Sequence, residues 1–494
     1  MGKPWTAYYR LALWALLLGA AMAQRQLHRT PNGSHQQPRR QQQQQQQRRH
    51  LTAGTPWHGQ CERYESLYES GIWEDTVFWQ EGGITEGLMG AAIGNMSLNG
   101  GVYRRVAMPM LLLKGQLYLP AEVYLNQTWH WYGRNFLTWI HALKRITERW
   151  GASVPDVEIL IAADDDPTQD AADPNLWKQG PLWPIMKQCK SSQSADITIP
   201  IWHLYNMHPN TKLFSQIDRL NRETPWETKL QRAYGAGQTY HRTMPLTANN
   251  RTFEGNISWP DNAMLREKFA QYLKEELRHP DIVYEEFSPI ETWGKNKMVI
   301  HIDGITCSSR VWQLLALGSV VLREQSNYYA FYDKLLHKFV HFVPFWQHRP
   351  REVLWAYNWV TENDEAARRI AARGQAFVRD ALTMDALECY WLMLLRQLAD
   401  LQRYDPGSAN AVRKVKTAAS SAAGGGVPQA ANSSTTTTTA GPAAGSGGYY
   451  YVPVDEWLAT QDAARMHNWV EGYCVNFGKA QELLPPTRLY NGNA

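Results

Sequence analysis

One stretch constrains this chain more than any other: residues 297–322, KMVIHIDGITCSSRVWQLLALGSVVL. An apolar run at 298–302 stops at Asp303-Gly304, the pair Ser308 and Ser309 marks a helix start, a short apolar segment runs to Gly318, and a second apolar run follows at 320–322. This is the pattern of a strand, a helix and a parallel strand, with a polar loop at the carboxyl end of the first strand. Open α/β sheets take ligands at such strand ends, and a helix start there offers unpaired N–H groups to a phosphate. Arg310 adds a fork able to grip a diphosphate through two bonds. A surface arginine on an ordinary βαβ unit fits the same letters, because no glycine fingerprint accompanies them.

A second stretch carries acids. VEILIAA at 157–163 reads as a buried strand and runs straight into Asp164-Asp165-Asp166-Pro167. Three adjacent carboxylates repel one another unless water solvates them or something uses them. Three readings stand side by side: a cation cluster for a diphosphate, a general base acting on a hydroxyl, and a solvated acidic turn. Further along, Gly235-Ala236-Gly237-Gln238 is either a bend or a place where backbone approaches a ligand, with the bend preferred. His337, His341 and His348 lack a metal-ligand spacing and read as core or surface residues.

The remaining elements are legible in outline. Thr85 caps a helix, and strands at 102–113 and 116–118 flank a turn at Lys114-Gly115. Phe136, Trp139, Ile140, Leu143 and Ile146 share one face of a helix over 135–150 that stops at Gly151. An amphipathic helix follows at 265–278, and two long helices at 353–379, with an interruption expected at Gly374, and at 385–404.

Charge and composition set the compartment and exclude some partners. Residues 1–23 have a charged start, an apolar run from 11 to 18 and an Ala21-Met22-Ala23 end, the form of a secretory signal peptide, with a short signal anchor as the alternative. Lys3, Arg10 and six arginines between 24 and 50 bring eight positive charges and no acid, twice the net +4, so the rest of the chain carries four net negative charges. Basicity therefore belongs to the leader and stem, and no nucleic-acid partner is expected. Acceptor sequons at Asn32, Asn95, Asn126, Asn250, Asn256 and Asn432 agree with passage through the secretory pathway. Five cysteines leave room for one or two bridges and at least one unpaired thiol.

Taken in order, VEILIAADDDP, DITIPIW, PWETK…AYGAG, KNKMVIHIDGITCSSR, LLALGSVVL, FYDKLL…HFVP and ARGQAFVRDALTMDALECYW resemble glycosyltransferase family 90, the capsule-associated protein family that includes the Rumi-type protein O-glucosyltransferases. The resemblance spans roughly residues 61–404. It implies an α/β fold of GT-B type, two Rossmann-like domains facing a cleft, and transfer of glucose or xylose from a UDP-sugar to a protein or glycan hydroxyl with inversion. By that resemblance Asp165 is the general base. Gly304, Ile305, Thr306, Cys307, Ser308, Ser309 and Arg310 are the nucleotide-binding loop, and Gly237 and Gln238 lie beside it. No metal or other cofactor is expected, since Arg310 would meet the leaving diphosphate. Asp164 and Asp166 would raise the pKa of Asp165 by like-charge repulsion. The resemblance also implies a bridge between Cys61 and Cys389.

The chain departs from the family pattern at Asp164 and Asp166, on either side of the base, where an acid is not usual, and at one further place. An arginine usual after PW…K is replaced by Ala236, with Arg242 as a substitute in a shifted register. That departure keeps open a rival reading, an inactive member acting as a glycan- or glycoprotein-binding module. The implied organisation is a leader at 1–23, a Gln/Arg-rich stem at 24–57, an acceptor-side domain at 58–225, a nucleotide-sugar domain at 226–404, a low-complexity linker at 405–448 and a C-terminal extension at 449–494. The expected setting is the lumen of the secretory pathway, endoplasmic reticulum or Golgi, or secretion, with membrane attachment only through the N-terminal segment.

Overall fold

The computed structural model describes residues 51–96, 107–121, 123, 130–165, 182–191, 194–207, 212–239, 264–407 and 451–461. The expected leader and most of the stem, of the linker and of the C-terminal extension lie outside these residues, as do Asp166 and Arg242. The chain divides into Met1–Ala53 and Gly54–Ala494, and both sheets belong to the second unit.

Among the described residues, six strands come before residue 200: β1 (Ala107–Leu113), β2 (Gln116–Pro120), β3 (Val157–Ala162), β4 (Ile185–Lys187), β5 (Lys190–Ser191) and β6 (Ile197–Thr198). β1 and β2 form the expected hairpin. Leu113 pairs with Gln116, so Lys114 and Gly115 are the whole turn, and both take positive φ, 49° and 75°, as a two-residue hairpin turn requires. Only glycine fits at 115, because a Cβ there would lie 2.1 Å from the carbonyl carbon of Gly151. β3 pairs antiparallel with β1 and parallel with β4. Every residue of VEILIA is buried, which explains why this run shows no polar alternation.

The second sheet is entirely parallel. Its strands are β7 (Leu230–Ala236), β8 (Ile282–Glu285), β9 (Asn296–His301), β10 (Val320–Glu324) and β12 (Val343–Phe345), while the short β11 (Tyr328–Tyr329) pairs with β5 instead. The spatial order is β12-β10-β9-β7-β8. The chain therefore reverses direction across the sheet between β7 and β9, and the carboxyl ends of those two strands flank the switch point where such sheets bind ligands. Gly235 lies inside β7 and is not a bend. A Cβ there would meet the Tyr284 ring at 2.5 Å and Ile300 at 2.9 Å, so the glycine lets neighbouring strands' side chains cross over it.

The first sheet is completed by β13 (Tyr451–Pro453), paired antiparallel with β2. Its order is β13-β2-β1-β3-β4-β6, and its parallel pairings among the described residues are β3 with β4 and β4 with β6. A carboxylate inside that sheet explains how the late segment is fixed: buried Glu158 accepts from the hydroxyls of Tyr404 at 2.9 Å and Tyr451 at 3.0 Å.

Helices cover both sheets: α1 (His58–Asp75), α2 (Glu86–Met96), α3 (His130–Trp150), α4 (Lys212–Glu223), α5 (Leu265–Tyr272), α6 (Ile290–Gly294), α7 (Val311–Ala316), α8 (Glu352–Glu362), α9 (Asp364–Ala381), α10 (Met384–Leu401) and α11 (Val454–Thr460). The five apolar residues read onto one face of α3 are all buried, and Trp139 Nε1 donates to Pro200 O at 2.9 Å. The break expected at Gly374 falls at Asn363, between α8 and α9, where the backbone leaves helical angles (φ −122°, ψ 47°). Gly374 lies inside α9, and a Cβ there would meet Leu315 at 3.0 Å, so its role is close packing.

α10 crosses back from the second sheet to pack on α1, α3 and β3. Cys389 in α10 bonds Cys61 in α1, the pairing that the family resemblance implied. Tyr390, Trp391, Leu394 and Leu395 are each nearly inaccessible, and at about 1.5–3 kcal/mol per side chain their burial outweighs the roughly 2–4 kcal/mol of a disulfide. Packing docks this helix and the bridge pins it.

Candidate active site

At the switch point, β9 ends in Ile302 and the chain turns into residues 303–310. Asp303 is the anchor of that turn. Its Oδ1 accepts from the Ser308 N–H at 2.8 Å and lies 3.1 Å from His301 Nε2, while Oδ2 accepts from the Ser326 hydroxyl. Its own N–H donates to Glu324 Oε2 at 2.9 Å. The Gly304 N–H donates to Thr306 O at 3.0 Å. Burial holds the His301 imidazole below its usual range although Asp303 favours the charged form. The loop is thus held by a buried carboxylate that accepts from its backbone, and residues 304–310 are left facing a cavity.

Arg310 reaches across the switch point. Its NH1 donates to Ala236 O at 2.5 Å, and its guanidinium sits 5.4 Å from the Trp293 ring. α7 starts one residue later and has only six residues, so its dipole is a small contributor and the anion-facing charge resides in side chains. Gly237 and Gln238 lie just past β7. A Cβ at Gly237 would fall 2.9 Å from Arg266 Cδ, so the glycine makes room for a residue that the sequence alone did not single out. Arg266, in the first turn of α5, is buried and donates through NH1 to Gln238 O at 3.1 Å and through Nε and NH2 to Ile302 O at 3.2 and 3.0 Å. It bridges the ends of β7 and β9 beside the position where Ala236 replaces the family's arginine.

The facing wall comes from the first sheet and the segments after it. Asp164 and Asp165 follow β3. Asp164 pairs at 2.9 Å with Lys187, whose side chain is fully buried at the end of β4. Asp164 is therefore engaged by an ammonium group and is no longer a spare carboxylate for a cation. Asp165 is exposed to the cavity and accepts from Gln188 Nε2 at 3.0 Å through Oδ1. Next in sequence, Cys189 bonds Cys307 of the opposite loop, so the two walls are covalently joined. Cys307 is thus a disulfide partner within the loop.

Together these walls enclose a cavity of about 640 Å³, within the usual range for sites that take small ligands. Asp165, Gln188, Asn135 and Trp202 line one side, and Arg266 and residues 304–310 line the other. The arrangement sets a carboxylate opposite two guanidinium groups, with hydroxyl and backbone donors between them. It is suited to a polar ligand with an anionic end. Gly237 and Gln238 adjoin the cavity through Arg266 and are not among its lining residues. Nothing local marked Arg266, Gln188, Asn135 or Trp202 in the sequence, since each sits in an ordinary helix, strand end or turn.

Near the junction of the walls lies a buried polar hub. Asp75 accepts from Lys190 at 3.0 Å, Lys334 at 3.3 Å and the Thr198 N–H at 2.9 Å. Burial by itself would raise this carboxyl, but the two ammonium groups and Thr198 more than reverse it and hold it below the usual carboxylate range. Lys334 comes from the segment after β11 and Asp75 ends α1, so this hub holds the two halves in register.

A mixed and a parallel α/β sheet meet at a cavity over the parallel sheet's switch point, an arrangement compatible with the GT-B fold that the family resemblance implied. Residues 65–443 match the sequence profile of Glycosyl transferase family 90. The chain belongs to that family. Among relatives, protein O-glucosyltransferase 2 of Danio rerio is 27% identical over 258 residues, covering 51% of this chain and 49% of that protein. O-glucosyltransferase rumi of Drosophila melanogaster is 24% identical over 276 residues, covering 51% of this chain and 62% of the relative. The match thus spans about half to three fifths of those relatives' length. The crystal structure of the Anabaena protein HepE in complex with UDP aligns at 12% identity with a TM-score of 0.28, over 44% of this chain and 68% of that one.

Proposed function

We propose that this protein transfers glucose or xylose from a UDP-sugar to a hydroxyl of a protein or glycan, with inversion and without a metal ion. The observation that carries the reading is one cavity holding Asp165 on one wall and Arg310 with Arg266 on the other. Asp165 Oδ1 is held by Gln188, and the second oxygen takes the proton of an acceptor hydroxyl. The acceptor oxygen bonds to the anomeric carbon as the bond from that carbon to the diphosphate oxygen breaks. Negative charge then grows on the diphosphate, and the guanidinium groups of Arg310 and Arg266 stabilise it. Arg266 supplies the cation that Ala236 does not, which weakens the case for an inactive binding module.

The names of the relatives favour glucose as the sugar and a protein as the acceptor. Two disulfides among the described residues support work in an oxidising compartment, the lumen of the secretory pathway. The test is UDP release by the full-length protein from UDP-glucose and from UDP-xylose, with water alone and with a serine-containing peptide library as acceptor, each with and without a chelator. Release that survives the chelator and falls at least about 100-fold in Asp165→Asn, with UDP affinity kept, is the expected result. UDP binding without release from either donor, under any of these conditions, would point instead to a binding module.

A further inference from the structure

Two amides in the cavity wall have one end committed and the other unmatched. Gln188 is 8% exposed and Asn135 is 5% exposed. Gln188 Nε2 donates to Asp165 Oδ1 at 3.0 Å, and Asn135 Nδ2 donates to Ala163 O at 3.4 Å. A carboxylate and a carbonyl only accept, so the nitrogen end of each amide is fixed by its partner and the oxygen end must point elsewhere. Gln188 Oε1 and Asn135 Oδ1 are both buried and accept no hydrogen bond from the described residues. Buried acceptors are rarely left so, because each forfeits its water without a replacement donor.

Both oxygens belong to residues that line the same cavity as Asp165, and both amides abut the segment that presents it: Ala163 precedes Asp164, and Gln188 touches Asp165 itself. Two acceptors beside a base call for a ligand rich in O–H donors at this end of the cavity, while the arginines at the other end call for an anion. A nucleoside diphosphate has its charge at the second end and offers no hydroxyl at the first. A hexose or pentose on that diphosphate does.

We infer that Asn135 and Gln188 accept hydrogen bonds from hydroxyl groups of the sugar of a bound nucleotide sugar, and so determine which sugar is held next to Asp165. This rests on the nucleotide-sugar reading of the cavity given above. Gln188 then has two tasks, orienting the base through its nitrogen and reading the sugar through its oxygen. Asn135 has the second task and secures the strand end with its nitrogen.

Binding of UDP and of UDP-glucose to the full-length protein, measured by calorimetry without acceptor, separates these roles. Asn135→Leu and Gln188→Met should each weaken UDP-glucose about five- to tenfold, the usual worth of one hydrogen bond, and leave UDP within twofold. Retained UDP binding also shows that each variant is folded. Deoxy analogues of UDP-glucose test the unaltered protein: loss at one or two ring positions, absent in the variant that lacks the matching amide, supports the inference. Parallel weakening of UDP and UDP-glucose, or equal affinity across the deoxy series, overturns it. Should neither variant fold, the deoxy series on the unaltered protein decides alone. Failure of the unaltered protein to bind UDP at all would instead overturn the nucleotide-sugar reading beneath it.

Discussion

The two walls of the cavity are built by opposite rules. The arginine-bearing wall is mainly one contiguous loop, residues 303–310, with Arg266 of α5 beside it, and the loop's internal bonds are local: Asp303 to the Ser308 N–H, and the Gly304 N–H to Thr306. The facing wall collects Asn135, Asp165, Gln188 and Trp202 from four separate segments. Its integrity rests on pairings between those segments, Lys187 with Asp164, Gln188 with Asp165, and Asn135 with Ala163 O. A wall made by one loop at a switch point is positioned by the sheet beneath it. An assembled wall is only as sound as its cross-links, so damage there should appear first in stability and rate, whereas damage to the loop should appear in nucleotide affinity.

The hardest blow to the assembled wall is Lys187→Met. Lys187 is fully buried and Asp164 mostly so, and deleting one partner of such a pair typically costs about 3–5 kcal/mol because the other charge is left uncompensated. Urea unfolding should show this loss, and adding Asp164→Asn should recover part of it by removing the stranded charge. UDP affinity of the folded fraction should change little. An unchanged unfolding midpoint would mean that the assembled wall does not depend on this pair.

The two disulfides sharpen the comparison next. Cys61–Cys389 and Cys189–Cys307 close long loops, with sequence separations of 328 and 118, and removing either should cost roughly 2–4 kcal/mol. Only the second joins the walls. Replacing Cys189 and Cys307 by serine should weaken UDP about tenfold in addition to lowering stability, because residues 304–310 lose their tie to the opposite side. Replacing Cys61 and Cys389 should lower stability and leave UDP affinity as it was. Equal effects of both pairs on UDP binding would show that the loop is positioned without its bridge.

This contrast also explains what could be read from the sequence. The βαβ unit at 297–322 announced itself through apolar runs, punctuation and one arginine, all local signals, and its parallel pairing and loop follow directly. The hairpin at Lys114-Gly115 and the buried face of α3 were legible for the same reason. The three consecutive acids after an apolar run drew notice to this turn, but only the family resemblance singled out Asp165 among them. Gln188 and Asn135 are unremarkable in sequence, and their meaning depends on which acceptor the fold sets against each amide nitrogen. Arg266 was hidden because residues 239–265 separate it from β7 in sequence while the sheet brings its guanidinium back to Gln238 O. The partner of Cys307 was equally beyond reach, since pairing is decided by how the halves meet.

The smallest expected effect comes from protons, and it separates the walls once more. Each side carries one buried histidine, His141 on α3, which also bears Asn135, and His301 on β9. Burial pushes the His141 imidazole down to about 3, with Lys144 adding to the shift, whereas at His301 burial is partly offset by Asp303. In both cases the folded state binds the proton less readily than the unfolded chain, whose histidines titrate near 6.5. Stability is therefore fully present above about pH 6.5 and declines as pH falls below it, by roughly 1.4 kcal/mol per pH unit for each histidine still neutral in the folded protein. Carboxylates such as Asp75 contribute mainly at lower pH, so the interval from 6.5 to 5 reports the histidines. His141→Gln, neutral throughout, should remove about 1.4 kcal/mol per unit from the slope of urea-derived stability in that interval, whatever it costs at neutral pH. His301→Gln should remove less, since Asp303 already supports the charged ring. An unaltered slope in His141→Gln would show that acid loosens the molecule elsewhere, and a larger change in His301→Gln would reverse the order of the two walls.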